Sequence, residues 1–190
     1  IYILNKDLNI TGSVEGIAPG ESIYSVIFLG NRAYLVTFRH VDPLFVIDLT
    51  DEQNPKILGQ LKIPSYSDYL HPYDENHIIG IGKDVDASID ADKVHTEGAV
   101  YYTAIQGVKI SLFDVSDVEN PIEMSKVIIG DRGTESLATS DHKAFLFDKE
   151  KNLLVIPMVV AELQTGQTKS DQGQFTFSGA YVYKLTLENG

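Results

Sequence analysis

Apolar and β-branched residues fall in short runs of four to eight, broken by Gly, Asn, Asp and Pro, and no stretch of ten or more has the spacing of an amphipathic helix. Three pairs of runs flank turn-forming residues. Ser25–Gly30 and Arg32–Phe38 flank Gly30-Asn31, Tyr69–Tyr73 and His77–Gly82 flank Asp74-Glu75-Asn76, and Ala144–Asp148 and Leu153–Val160 flank Lys149–Asn152. Downstream of the first two pairs, Leu44–Pro55 and Ile110–Pro121 nearly superimpose, Asp48 matching Asp114 and Pro55 matching Pro121. Each is a strand that enters an Asp-Thr/Ser-Asp turn and stops at Asn-Pro, where proline cannot donate to a ladder. Each is followed by another strand, Lys56–Ile63 or Ile122–Ile129. Weaker copies lie at Ala180–Leu187 and Ile1–Leu8. The repeated unit is therefore four antiparallel strands, and such units cannot bury both faces alone. The fold class predicted is all-β, a β-propeller of four-stranded blades.

Counting units places blades at about 22–63, 67–129 and 136–187 of a single domain, with residues 1–16 as the last two strands of a preceding blade. That is about three and a half blades, whereas a closed ring needs about four or more. The chain thus reads as a partial propeller, a fragment of a longer one; the rival is two chains completing one assembly. Bare blade faces and strand edges favour self-association.

Several stretches carry a family resemblance: Ala18–Ser25, Tyr34–Phe38, Asp42–Leu49, Tyr69–Pro72, Gly80–Gly82, Lys109–Asp117, Gly130–Gly133 and His142–Phe145. Through them the chain resembles archaeal and bacterial secreted proteins with a C-terminal β-propeller domain. The resemblance implies a longer parent protein located outside the cytoplasmic membrane, and it brings no shared catalytic motif. The acidic insert after Gly82 departs from the family pattern and borrows no role from it.

Charge narrows the partners. With 27 acidic against 15 basic side chains the net charge is −12, and the cations are scattered. This argues against nucleic acid and against an anionic membrane surface. No apolar run is long enough to span a bilayer. Absence of Cys removes disulfides, thiolate metal sites and Cys nucleophiles. Because the first residue is Ile1, the sequence reads as a processed or excised piece. Asn9-Ile10-Thr11 is a glycosylation sequon whose use depends on export, and the expected location is secreted or cell-surface.

In a four-stranded blade the links between strands two and three and the joints between blades emerge on one face. Here those links are Arg39–Pro43, about Lys83–Val108 and about Ala161–Gly179, with joints at Pro64–Ser67 and Gly130–Glu135. Insertions converging on one face are where repeat folds bind. The ligand-face candidates are Arg39, His40, Asp42, Asp131 and Arg132; the alternative reading makes Arg39, Asp42, Asp131 and Arg132 ion pairs across the blade joints. In the second link Asp84, Asp86, Ser88, Asp90 and Asp92 alternate as the oxygen ligands of an EF-hand loop do. Ile89 then stands where that loop needs Gly, and His95 where it needs Glu. Two readings follow: a solvated acidic loop, or a looser Ca²⁺ loop of Asp84, Asp86, Asp90, Asp92 and Glu97.

His40, His71, His77, His95 and His142 show no metal-ligand spacing; His71 reads as a satisfied strand histidine. Asp48 and Asp114 recur with the repeat and read as turn acceptors rather than a catalytic dyad. Tyr66, Tyr69, Tyr101 and Tyr102 suit sugar stacking or blade packing alike. No nucleophile elbow, P-loop or dinucleotide fingerprint is present, so no nucleotide or redox cofactor is expected. The function read from these features is a non-enzymatic extracellular binding or scaffold module for protein or polymer partners, with Ca²⁺ ordering the acidic insert. The alternative is a hydrolase or lyase with an acidic site on the loop-bearing face near the propeller axis, an inference by fold analogy.

Overall fold

The computed structural model describes residues 1–38, 42–63, 65–86 and 105–187, Phe38 and Asp42 through their backbone alone. The hydrophobic pattern folds into antiparallel meanders. Strands β1 (Tyr2–Leu4) and β2 (Ile10–Ser13) pair as a two-stranded sheet. Blade 1 joins β3 (Ser22–Leu29), β4 (Arg32–Phe38), β5 (Asp42–Asp48) and β6 (Lys56–Ile63) in chain order. Blade 2 repeats this with β7 (Ser65–Pro72), β8 (His77–Val85), β9 (Ile105–Asp114) and β10 (Ile122–Ile129). Blade 3 holds β11 (Leu146–Asp148), β12 (Leu153–Glu162) and β13 (Gln174–Lys184). Its inner strand is interrupted: Glu135 bridges Val159, two short 3₁₀ turns follow at Leu137–Thr139 and His142–Ala144, and pairing resumes at Leu146 opposite Val155.

The Asp turns repeat in atomic detail. Asp48 Oδ1 accepts the Thr50 N–H at 2.9 Å, and Asp114 Oδ1 accepts the Ser116 N–H at 2.8 Å. Three blades share one further bond: the N–H donors of Leu49, Val115 and Leu185 reach the carbonyls of Asn31, Asn76 and Asn152, each at 2.8 Å. The turns also join blades. A Cβ on Gly12 of β2 would sit 2.2 Å from the Glu52 carbonyl oxygen, and one on Gly59 of β6 2.3 Å from that of Val118. Each Asp–Asn turn therefore rests on the outer strand of the blade before it, at a position only glycine leaves open.

Blade 2 is sandwiched. Leu70, Ile78, Phe113 and Val115 face Tyr34, Val36, Leu44 and Val46 of blade 1. Ile79, Ile81, Val108, Ile110 and Leu112 face Leu154, Ile156, Met158 and Val160 of blade 3. Burial on both faces explains why β8 and β9 read as nearly continuous apolar runs instead of alternating. It also lengthens them beyond the expected ends. The ladder continues through Lys83↔Val108 to Val85↔Ile105, so the second link starts at Asp86 rather than Lys83. Likewise Phe175 and Phe177 pair with Ala161 and Val160, which shortens the third link to residues 163–173.

Candidate functional site

On the loop-bearing face, the joint after blade 2 is built around Gly130, whose φ of +62° favours glycine and whose Cβ would strike Thr134 Oγ1. That turn presents Asp131 and Arg132. The Asp131 carboxylate accepts the Leu163 N–H at 2.8 Å, while its own N–H donates to the Ala161 carbonyl at 2.8 Å. The Arg132 guanidinium donates to the Ser170 carbonyl, and the Arg132 carbonyl accepts the Gly173 N–H at 2.8 Å. Both candidates hold the 163–173 connection against the joint. Asp171 closes the same connection by accepting the Thr168 N–H at 2.7 Å and hydroxyl at 2.9 Å.

Asp84 is a strand residue, paired with Ser65 across the β7–β8 ladder. Burial pushes its carboxyl up, against the pull of the Lys109, Lys126 and Lys169 ammonium groups. The Asp86 carboxylate lies 2.9 Å from Lys169 Nζ, and the Lys169 carbonyl accepts from Gln106 at 3.1 Å. The connections leaving blades 2 and 3 are thereby tied together. Asp42 opens β5 opposite Ile63. Arg39, His40, Asp90, Asp92 and Glu97 lie outside the described residues, as do Tyr101 and Tyr102. Among the described residues no group of three or more His, Asp or Glu side chains could hold a metal ion.

Two buried lysines define polar clusters that no linear motif announces. They leave opposite faces of blade 2, since Val108, the neighbour of Lys109, is the ladder partner of Lys83. On the side of blade 1, Lys109 Nζ lies 2.5 Å from Glu123 Oε1 and 2.5 Å from Ser65 Oγ, and Ser111 Oγ donates to Glu123 at 2.7 Å. Burial alone would raise the Glu123 carboxyl; the bonds from Lys109 and Ser111 and the charges of Lys109 and Lys126 outweigh it and hold the group low. Burial lowers Lys109, opposed by the same Glu123.

On the side of blade 3, Lys83 donates to the Thr134 carbonyl and lies 2.9 Å from Glu135 Oε2. Beside this pair stands Asp68, the residue bulged out of the β7–β8 ladder between Ser67 and Tyr69. Burial pushes its carboxyl up to about 7, with Glu135 adding and Lys83 opposing. The sequence signal for both clusters was a lysine inside an otherwise apolar run, in Gly80-Ile81-Gly82-Lys83 and Val108-Lys109-Ile110.

Further along β7, Tyr69 Oη lies 3.0 Å from His71 Nδ1, and the His71 ring sits 4.7 Å from that of Phe145. Burial lowers His71, so the ring is neutral near pH 7. Tyr66 is buried with its ring 4.7 Å from that of Tyr24, in blade packing.

The beta propeller domain family model matches residues 1–190. An uncharacterized protein of Methanocaldococcus jannaschii is 44% identical over 157 residues, covering 83% of this chain and 22% of its own length. An uncharacterized protein of Archaeoglobus fulgidus is 39% identical over 157 residues, with the same coverage. The chain thus spans about a fifth of the length of the curated relatives it matches. Among solved structures, an ACO/RPE65 chimera and a mutant of Synechocystis apocarotenoid oxygenase match at 17% and 16% identity, both with a TM-score of 0.36 over 90% of this chain and 37% of theirs.

Proposed function

The chain belongs to the beta propeller domain family, and on that premise we propose that it is a non-enzymatic extracellular binding module, part of a larger propeller. Its partners are proteins or surface polymers, met on the loop-bearing face by the connection leaving blade 3 and the start of the one leaving blade 2. The observation that carries this reading is the anchoring of those connections: Asp131 and Arg132 spend their side chains fixing residues 163–173, and Lys169 fixes that connection to Asp86. Fixed loops on a rigid sheet are a preorganised binding surface, because less ordering entropy is lost on contact. The acidity of the second link adds Ca²⁺ as an ordering ion, drawn from Asp90, Asp92 and Glu97, with Asp84 and Asp86 joining only by exchanging their lysine neighbours for the ion.

The test is peptide- and glycan-array binding of the purified chain, with and without CaCl₂, beside the Asp131→Ala variant. Features bound by the wild-type chain are expected to be lost in Asp131→Ala while its circular dichroism stays unchanged. Equal binding by both proteins would remove the loop face from the proposal. Absence of calorimetric heat from CaCl₂ added to chelator-treated protein would remove the ion.

A further inference from the structure

We propose that the cleft between β3 and β7 binds a ligand carrying a primary ammonium group on an apolar body, with the Asp68 carboxylate receiving the ammonium. The cleft is walled by Val26 and Phe28 of β3 and by Asp68, Tyr69 and Leu70 of β7. Phe28 is 61% exposed and Val26 46%, an apolar surface beside a carboxylate.

Three observations select the ligand chemistry. First, the nearby charges leave one negative charge over. Lys83 and Glu135 offset each other at 2.9 Å, and one ammonium proton of Lys83 goes to the Thr134 carbonyl, so Asp68 has no counter-charge of its own. Second, no hydrogen bond among the described residues reaches the Asp68 carboxylate, which sits at the bulge in the β7–β8 ladder. A carboxylate offers about four acceptor sites, and a primary ammonium brings three donors to fill them. Third, the other polar groups at the cleft are committed: Ser25 Oγ donates to the Ser67 carbonyl at 2.7 Å, and Tyr69 Oη bonds His71 Nδ1. The neighbouring titratable groups are Lys83, Glu135, Tyr69, His71 and, stacked on Tyr69, His142. The module thus has a small-ligand subsite apart from the loop surface.

The experiment is saturation-transfer NMR on the purified chain with n-butylammonium chloride as probe, and n-butanol and tetramethylammonium as controls lacking the charge or the N–H donors. Transfer to n-butylammonium is expected at pH 8 and weak transfer to either control. Lowering the pH to 5.5 protonates Asp68, whose carboxyl sits at about 7, and the signal falls. Asp68→Asn is expected to weaken binding about tenfold or more, the loss of a charge-assisted pair. Glu135→Gln, at an exposed side chain, releases Lys83 to pair with Asp68 and weakens the probe severalfold without touching the cleft wall. Equal transfer to n-butanol overturns the proposal, as does binding unchanged in Glu135→Gln or unaffected by pH. The Glu135→Gln and pH arms keep it falsifiable where Asp68→Asn fails to fold.

Discussion

Lys109 shows how one side chain fixes its surroundings. It is 3% exposed and survives burial because Glu123 and Ser65 both reach its ammonium. Removing Lys109 leaves the half-buried Glu123 with only the more exposed Lys126 at 3.4 Å and Ser111, and breaking a buried pair costs about 3–5 kcal/mol, whereas replacing both by apolar groups of similar volume is close to neutral. Lys109→Met is therefore expected to lower urea-unfolding stability by about 3 kcal/mol, and the Lys109→Met/Glu123→Leu pair to recover most of it. A double variant as unstable as the sum of the two single changes would show no coupling between the two side chains and overturn this reading of the pair. Such clusters were hard to read from sequence. A lysine in an apolar run marks a buried charge, but its partners lie on other strands, Glu123 fourteen positions after Lys109 and Ser65 forty-four before it.

At the scale of elements, the strand and turn grammar was legible because it is local. Alternation, Gly-Asn and Asp-containing turns and the two Asn-Pro stops place hairpins within a few residues of where they form. Strand ends were less legible, since β8 and β13 extend as far as their ladder partners allow, and those partners are distant in sequence. The docking of each Asp–Asn turn on the preceding outer strand gives the element-scale prediction. Gly59→Ala must push its Cβ into the backbone of Val118 and Glu119, and is expected to destabilise by about 2 kcal/mol in chemical denaturation. Gly16→Ala, also at a glycine but with open space around it, isolates the cost of φ +69° from that of the clash. Gly59 is not at positive φ, so its cost is the contact alone, and a Gly59→Ala variant as stable as the unaltered chain would show that the turn does not rest on β6.

For the molecule as a whole, the three blades bury the faces between them, and Ile1, Val14 and Ile17 of the N-terminal segment cover Ala33, Leu35, Phe45 and Ile47 on the other face of blade 1, yet apolar side chains stay exposed at both ends of the array. Ile23, Val26 and Phe28 are exposed on blade 1, and Leu146, Val159 and Val182 on blade 3, where β13 is the edge strand among the described residues. Apolar sheet faces of this kind associate in water. The 190-residue chain is expected to self-associate with rising concentration in light scattering after gel filtration, and Val159→Lys with Val182→Lys to shift it toward monomer. A monodisperse monomer at every concentration would show these faces to be stable in water. By itself the sequence determined the repeat, the all-β class, the Asp turns and the acidic balance, because each depends on residues close together in the chain. Only the tertiary structure decided that Asp131 and Arg132 hold loops, that Asp84 belongs to a strand, and that Asp68, Lys83 and Glu135 meet. Those facts depend on how one blade lies against the next, and stacking brings together residues that no local pattern relates.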